Sequence, residues 1–494
     1  MAYNRNATFA AALLLATLTL SSLACRTLLG APEDATFGSV PAVKATRTVS
    51  QAEPSQRLDG LSLLPTLDPG PPGASRYEPD RPQLSGEAYT LDSEHFRIHY
   101  TLDGVDAVPA QGNHPSGQPD YVIEVARAME YAWYGAIDHF GWAPPPRDGG
   151  LGGDDRYDVY LQEILSEDYA GFTESDLGAS VIGDNPLTRL VERAATHTYI
   201  VLDNDYLEET DASYPPEEEL DYMRSTAAHE FHHAIQFGYD GEEPHDWVWE
   251  ATSTWIEEEL FDSVNDPVST LGSIFDATDS CQLAEGGETG DEDIDRWYGM
   301  WILMRHLSEQ YGHSIIVRLW EQIIDLNGYA AWDALLAEYD TTLEDVFTDY
   351  SVALLTRNFQ EGLRYPTVRL EGVATPDAWF YPADGVEQLG ADYIALPADE
   401  ILTLTLDGEG LRAVAVGIAE GWSDVFPLQD GETSLDTGDY ERSYLIVLNP
   451  QRAANARNCH LSDYAVFVGR SSRPQAPAWS QPAEYFQPPA TPGR

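Results

Sequence analysis

Basic side chains are scarce in this chain of 494 residues: 27 Lys and Arg stand against 83 Asp and Glu, a net charge of −56. Nucleic acids and anionic lipid surfaces are gripped through cationic patches, so this balance excludes both as partners. It describes a solvated acidic surface of the kind that keeps an exported protein soluble. Cysteine is nearly missing, at three residues. Internal repeats are missing, and outside an apolar run near the N-terminus no segment approaches the length and apolarity of a membrane span. What is plentiful is core material: 43% of residues are hydrophobic and 11% aromatic, enough to bury a sizeable interior in about two to three domains.

The N-terminal stretch has Arg5, an apolar run from Ala7 to Leu20, and then Ser21-Ser22-Leu23-Ala24-Cys25. This reads as a secretory signal peptide over residues 1–24, too short for an ordinary membrane span. Cleavage after Ala24 leaves Cys25 first, and the segment resembles a bacterial lipoprotein signal, although Ser22 stands where that pattern prefers Leu. The resemblance implies a lipid anchor at Cys25 and an extracytoplasmic or secreted location. Cys281 and Cys459 are then left as one candidate disulfide in an oxidising compartment, the alternative being two buried thiols.

Residues 25–90 are rich in Pro, Gly and Ser, with Asp68-Pro69-Gly70-Pro71-Pro72-Gly73 at the centre, and predict a mobile tether or pro-segment. Order is expected from His95–Tyr100, where Phe96, Ile98 and Tyr100 alternate with polar residues as in a half-buried strand. Apolar residues from Val122 to Phe140 recur at helical spacing after Asp120, a candidate N-cap, and the run ends at Gly141. Asp154, Asp155 and Asp158 follow in a Gly/Asp loop; they are candidate Ca²⁺ ligands, but without the order of an EF-hand they read first as turn residues. Thr198–Leu202 predicts a strand, expected at a sheet edge. Helices are expected at Ile294–Tyr311, Ser314–Leu326 and Leu343–Phe359. Beyond them the pattern changes to short β runs separated by Gly, Asp and Pro turns, which predicts a β-sandwich over 365–470 and a Pro-rich tail over 471–494. Trp379, Phe380 and Trp422 in that region read as core, with sugar stacking the alternative.

The chemistry concentrates in His229-Glu230-Phe231-His232-His233. Positions i and i+4 share one helix face, so His229 and His233 can hold one metal ion with Glu230 beside it. Pro216 and the acids Glu217–Glu219 suit the start of that helix, and Gly238 suits a left-handed cap at its end. His232 is turned about 100° away, which makes it a supporting or surface residue. A second helix, with Asp246 as its expected cap, carries Glu250, 17 positions after His233.

Trp249-Glu250-Ala251-Thr252-Ser253-Thr254-Trp255 together with the HExxH pentapeptide resembles the gluzincin metallopeptidases, the thermolysin and aminopeptidase N type. The resemblance covers roughly residues 196–311. It excludes the metzincin pattern, since Gln236 and Tyr239 occupy the positions of its Gly and third His. It implies a zincin-like α+β catalytic domain over 91–364, with an N-terminal mixed sheet and a largely helical second half. It also implies Zn²⁺ held by His229, His233 and Glu250, Glu230 as general base, and a peptide or protein substrate. Tyr298 is similar to the downstream Tyr that stabilises the oxyanion, with core packing as the alternative. Thr254 departs from the pattern, standing where thermolysin-like enzymes carry an Asp that orients a His; Glu257 and His245 are substitute ligands should Glu250 not reach the ion. The reading from another class is a non-catalytic surface protein that binds a glycan, calcium or a protein and keeps the zinc as a structural element.

Overall fold

The computed structural model describes residues 81–167, 169–175, 182–207, 212–281, 292–452 and 459–471. The expected signal peptide, Cys25, the tether up to residue 80 and the tail from 472 lie outside them. The chain is α+β, with three sheets among the described residues. It divides into two compact units. The first takes Met1–Arg369, Val386–Ala391 and Leu448–Leu461; the second takes Leu370–Gly385, Asp392–Val447 and Ser462–Arg494.

The first unit opens with β1 (Ala88–Asp92) and β2 (Phe96–Thr101), an antiparallel pair. β1 therefore begins before His95, where order was expected to start. On β2 the residues Phe96, Ile98 and Tyr100 are all buried, as their alternation predicts. Helix α1 (Asp120–Trp133) follows and widens into a π-helical stretch, Tyr134–Phe140, closed by Gly141 at φ 84°. That positive φ is the conformation glycine adopts without strain. Asp120 is the first helical residue and not its cap; its carboxylate accepts the backbone N–H groups of Asn113 and His114.

β3 (Tyr157–Gln162), β4 (Gly171–Ser175) and β5 (Thr198–Asp203) complete a sheet ordered β1-β2-β3-β5-β4. β2, β3 and β5 run parallel, and β4 turns back antiparallel on β5. The strand at 198–203 is thus an interior strand, buried along its whole length, and the edge belongs to β4. The chain crosses from β4 to β5 by a long connection, so the later strand pairs on both sides and the earlier one is left outside.

Next come α2 (Glu217–Phe237), α3 (Asp246–Leu260), the short α4 (Gly272–Phe275), α5 (Glu292–Gly299), α6 (Trp301–Tyr311), α7 (Ser314–Ile323), α8 (Tyr329–Glu338) and α9 (Leu343–Thr356). The helix expected over 294–311 is interrupted at Met300. Gly299, just before the break, sits where the chain passes close to its neighbours: a Cβ there would lie 2.5 Å from Ser273 Oγ and 2.9 Å from Thr270 O. Cys281 and Cys459 form a disulfide across a separation of 178 residues, inside this unit. Closing so long a loop contributes about 3–5 kcal/mol on chain entropy.

The second unit is built from strands β6 (Gly372–Val373), β7 (Ala378–Phe380), β8 (Ala391–Ala395), β9 (Ile401–Asp407), β10 (Arg412–Ala419), β11 (Trp422–Pro427), β12 (Glu432–Asp436), β13 (Arg442–Leu448) and β14 (Ala465–Arg470). They form one sheet ordered β11-β10-β13-β8-β6 and another ordered β12-β9-β14-β7. Leu402 and Leu404 on β9 alternate with less buried neighbours, the mark of a sheet with one face inward. Trp379 and Trp422, expected in the core, are instead 45% and 52% exposed. Both sit on edge strands, where one side of the ring has no neighbouring strand to cover it.

Candidate metal centre

Helix α2 is pinned to the sheet by Phe231, whose ring meets those of Phe96 (5.2 Å between centroids), Trp133 (5.6 Å) and Tyr157 (6.3 Å). Ala227, Ala228 and Ala234 are buried on the same helix and let the surrounding elements close in. Truncating a buried Phe of this kind costs about 3–5 kcal/mol. With Phe231 fixed inward, the helical repeat turns His229, Glu230 and His233 toward α3 and β4. Gly238 at the end of α2 is right-handed, φ −75°, and not the left-handed cap expected. Its lack of a side chain serves a close approach, since a Cβ would sit 2.9 Å from Ile235 O and 3.2 Å from the Pro146 ring. At the start of α3 the cap is His245, and Asp246 is already helical.

Three side chains converge. His229 Nε2 lies 3.0 Å from His233 Nε2 and 3.1 Å from Glu250 Oε2, and His233 Nε2 lies 3.6 Å from the same oxygen. Ligands at tetrahedral angles on a zinc ion, at bonds of 2.0–2.2 Å, stand about 3.3–3.5 Å from each other. The spacing therefore fits Zn²⁺, and so does the donor set of two imidazoles and a carboxylate.

The other ring nitrogens decide which atoms face the centre. Glu257 Oε1 takes His229 Nδ1 at 2.6 Å, and Gln236 Oε1 takes His233 Nδ1 at 2.7 Å. Each acceptor fixes a proton on Nδ1 and leaves the Nε2 lone pair turned inward. Glu257 is itself held by the Ser225 hydroxyl at 2.6 Å, and Gln236 donates to Trp249 O and Thr252 Oγ1. Two Nε2 atoms bare of protons at 3.0 Å repel one another unless a cation lies between them. Burial opposes charge on Glu250, yet positive charge at the His233 and His229 imidazoles, a role that a cation between them would take over, holds its carboxyl well below the usual range.

Glu230 is buried beside these three. Its Oε2 accepts the Thr173 hydroxyl at 2.9 Å, and the same hydroxyl lies 2.8 Å from the Glu230 carbonyl. Burial pushes the Glu230 carboxyl up, the direction that makes a carboxylate a better proton acceptor. Thr173 belongs to β4, so the edge strand runs past the centre. Tyr298 stacks its ring on His229, 5.6 Å between centroids and 19° between planes.

Glu257 does not bind at the centre as a substitute ligand; it orients His229 from behind. His245 is paired with Glu243 and lies outside the cluster. His232 is fully buried, with Nδ1 3.2 Å from Ser253 Oγ and its ring edge-on to Trp142 at 4.5 Å. The carboxylates of Asp154, Asp155 and Asp158 are engaged by arginines: Arg97 and Arg156 on the first, Arg147 on the second, Arg81 on the third. These ion pairs fit the turn role that the sequence put first.

No protein-family model matches the chain, and no curated protein sequence matches it. Among solved structures, it is similar to an M1 zinc metallopeptidase from Deinococcus radiodurans at 12% identity, over 53% of this chain and 51% of that one, with a TM-score of 0.27. The chain thus spans about half the length of that enzyme. It is also similar to PliG, a periplasmic inhibitor of g-type lysozyme from Salmonella Typhimurium, at 17% identity, over 20% of this chain and 99% of that one, with a TM-score of 0.16. Neither likeness is strong enough to carry an argument about function, which rests on the site itself.

Proposed function

We propose that the protein is an exported zinc-dependent peptidase of gluzincin type. The observation that carries the reading is the convergence of His229 Nε2, His233 Nε2 and Glu250 Oε2 within 3.6 Å of one another, with Glu230 next to them. These three atoms would hold Zn²⁺, which supplies a Lewis acid for the scissile carbonyl and brings the pKa of a bound water down to about 7.

Every other task falls to the chain's own residues. Glu230, anchored through one oxygen by Thr173, accepts a proton from the attacking water and returns it to the leaving amine. Glu257 and Gln236 keep the imidazoles in the tautomer that turns Nε2 toward the ion. Tyr298, whose ring stacks on His229, would donate its hydroxyl to the developing oxyanion. β4, the last strand of its sheet among the described residues, would offer backbone groups to an extended peptide.

The Cys281–Cys459 disulfide supports export, since such bonds persist in oxidising compartments. No helix among the described residues is long and apolar enough to cross a membrane. The second unit as a β-sandwich with the two exposed tryptophans favours an accessory role in holding a substrate or glycan, which is also the observation behind the non-catalytic alternative. One experiment separates the two: metal analysis of the purified protein together with cleavage of casein before chelation, after chelation and after zinc is restored. The peptidase reading expects about one zinc per chain and cleavage that is lost and regained; bound zinc with no cleavage of varied peptides in any state favours the binding protein.

A further inference from the structure

A second group of oxygen donors lies at the other end of α3, away from the histidines. Glu258 occupies the last turn of that helix with no exposed surface, and neither carboxylate oxygen takes part in a hydrogen bond. Arg305 approaches Oε1 to 3.3 Å without the alignment of a hydrogen bond, and its Nε leans equally toward Glu259 at 3.4 Å. One guanidinium is thus divided between the buried Glu258 and the partly buried Glu259. Oxygens of Glu258, Asp262 and Glu361 lie within 4.8 Å of one another, and Asp262 and Glu361 are only half-buried. Arg364 takes Glu361 Oε2 at 3.2 Å from the solvent side, where it is itself largely exposed. The negative end of the α3 dipole adds to the same place. Burial and the acids Asp262, Glu361 and Glu259 push the Glu258 carboxyl up to about 8, despite Arg305.

We propose that Glu258, Asp262 and Glu361 form a calcium site, with Glu258 as the buried anchor and the other two at the solvent side. An all-oxygen donor set selects a hard cation over zinc. Ca²⁺ binds oxygens at 2.3–2.6 Å with irregular coordination completed by water, so two ligands on one ion stand at most about 5 Å apart, which matches this cluster. The ion adds charge and direct ligation to a buried carboxylate that accepts no hydrogen bond and shares its single guanidinium with Glu259. It also ties the C-terminal end of α3, the helix that carries Glu250 and Glu257, to the segment after α9 that carries Glu361. The site is independent of the zinc reading, since it uses none of the same side chains.

The test uses the full chain with zinc held at a fixed concentration in calcium-scavenged buffer, titrated with Ca²⁺ alone by calorimetry and followed by thermal unfolding. The wild type is expected to take up one Ca²⁺ in a saturable step and to gain about 4 °C in midpoint at a hundredfold excess over Kd. Glu258→Gln should lose that gain. Asp262→Asn, a half-buried change that leaves the fold alone, should weaken calcium binding at least tenfold. Absence of a saturable step in the wild type, or the same affinity in wild type and Asp262→Asn, overturns the proposal. Binding confined to the general acidic surface would give that second result.

Discussion

At the scale of single residues, the orienting acid is what the sequence hid. Thr254 stands where an Asp was looked for, and the gap is filled from one helical turn further on by Glu257, 2.6 Å from His229 Nδ1. A carboxylate three positions later on the same helix faces the same side, so the function moved along the helix while the geometry stayed. Glu257→Ala is expected to weaken zinc affinity about 10–100-fold, measured by competition with a chromophoric chelator. Unchanged affinity would mean that Glu257 is mere packing. His229, Glu230 and His233 were legible because one helix holds all three within five consecutive residues; Glu250 needed only the next helix. Thr173 was not legible: it is 57 residues away from Glu230, and only the sheet topology brings them together.

At the scale of elements, the interior of each helix was easier to read than its ends. Periodicity sums over many residues, whereas Asp120, Asp246 and Gly238 each stood for a cap that a single local contact decides, and in each case a different contact won. The same holds for the sheet. Hydrophobicity located the strand at 198–203 but could not say which strands flank it, so the edge fell to β4. This edge is packed hard against the motif helix. A Cβ on Gly171 would lie 2.8 Å from Thr226 Cγ2 and 2.9 Å from Glu230 Cγ. Gly171→Ala must therefore push β4 or Glu230 aside; peptidase activity is expected to fall more than tenfold, since small misplacements of catalytic groups are costly, with about 1–3 kcal/mol of stability lost to overpacking. Comparing kcat with the unfolding midpoint checks both, and wild-type kcat in this variant would show that the strand does not position the base.

At the scale of the whole molecule, the net charge of −56 was read as a solvated surface, yet part of the acidity is inside. Burial pushes Asp205 and Asp240 up to about 6 and Glu258 up to about 8. Unfolded, these acids titrate near 4, so between pH 4 and 8 the folded chain binds protons that the unfolded chain has released. Stability from these groups is complete below pH 4 and is lost as pH rises through 6 and then 8. In calcium-free buffer the unfolding midpoint of the wild type should fall between pH 7 and pH 8.5, above the ordinary titration range of histidine, and the fall should be smaller in Glu258→Gln. A fall of the same size in both proteins would refute the assignment. Composition could announce the acids but not which of them are buried, because burial is a property of the packed chain. The disulfide was legible as the one pairing left to Cys281 and Cys459, and the exposure of Trp379 and Trp422 was not, because aromatic residues are core material by default and edge position depends on strand order.

The most direct test of the central claim is to measure zinc content and casein cleavage on one preparation of Glu230→Gln beside the wild type. The substitution keeps the size of the side chain and the three ligands while removing the proton acceptor. The account predicts about one zinc per chain in both proteins and cleavage reduced at least a thousandfold in the variant. Cleavage within tenfold of wild type, with zinc still bound, would contradict it.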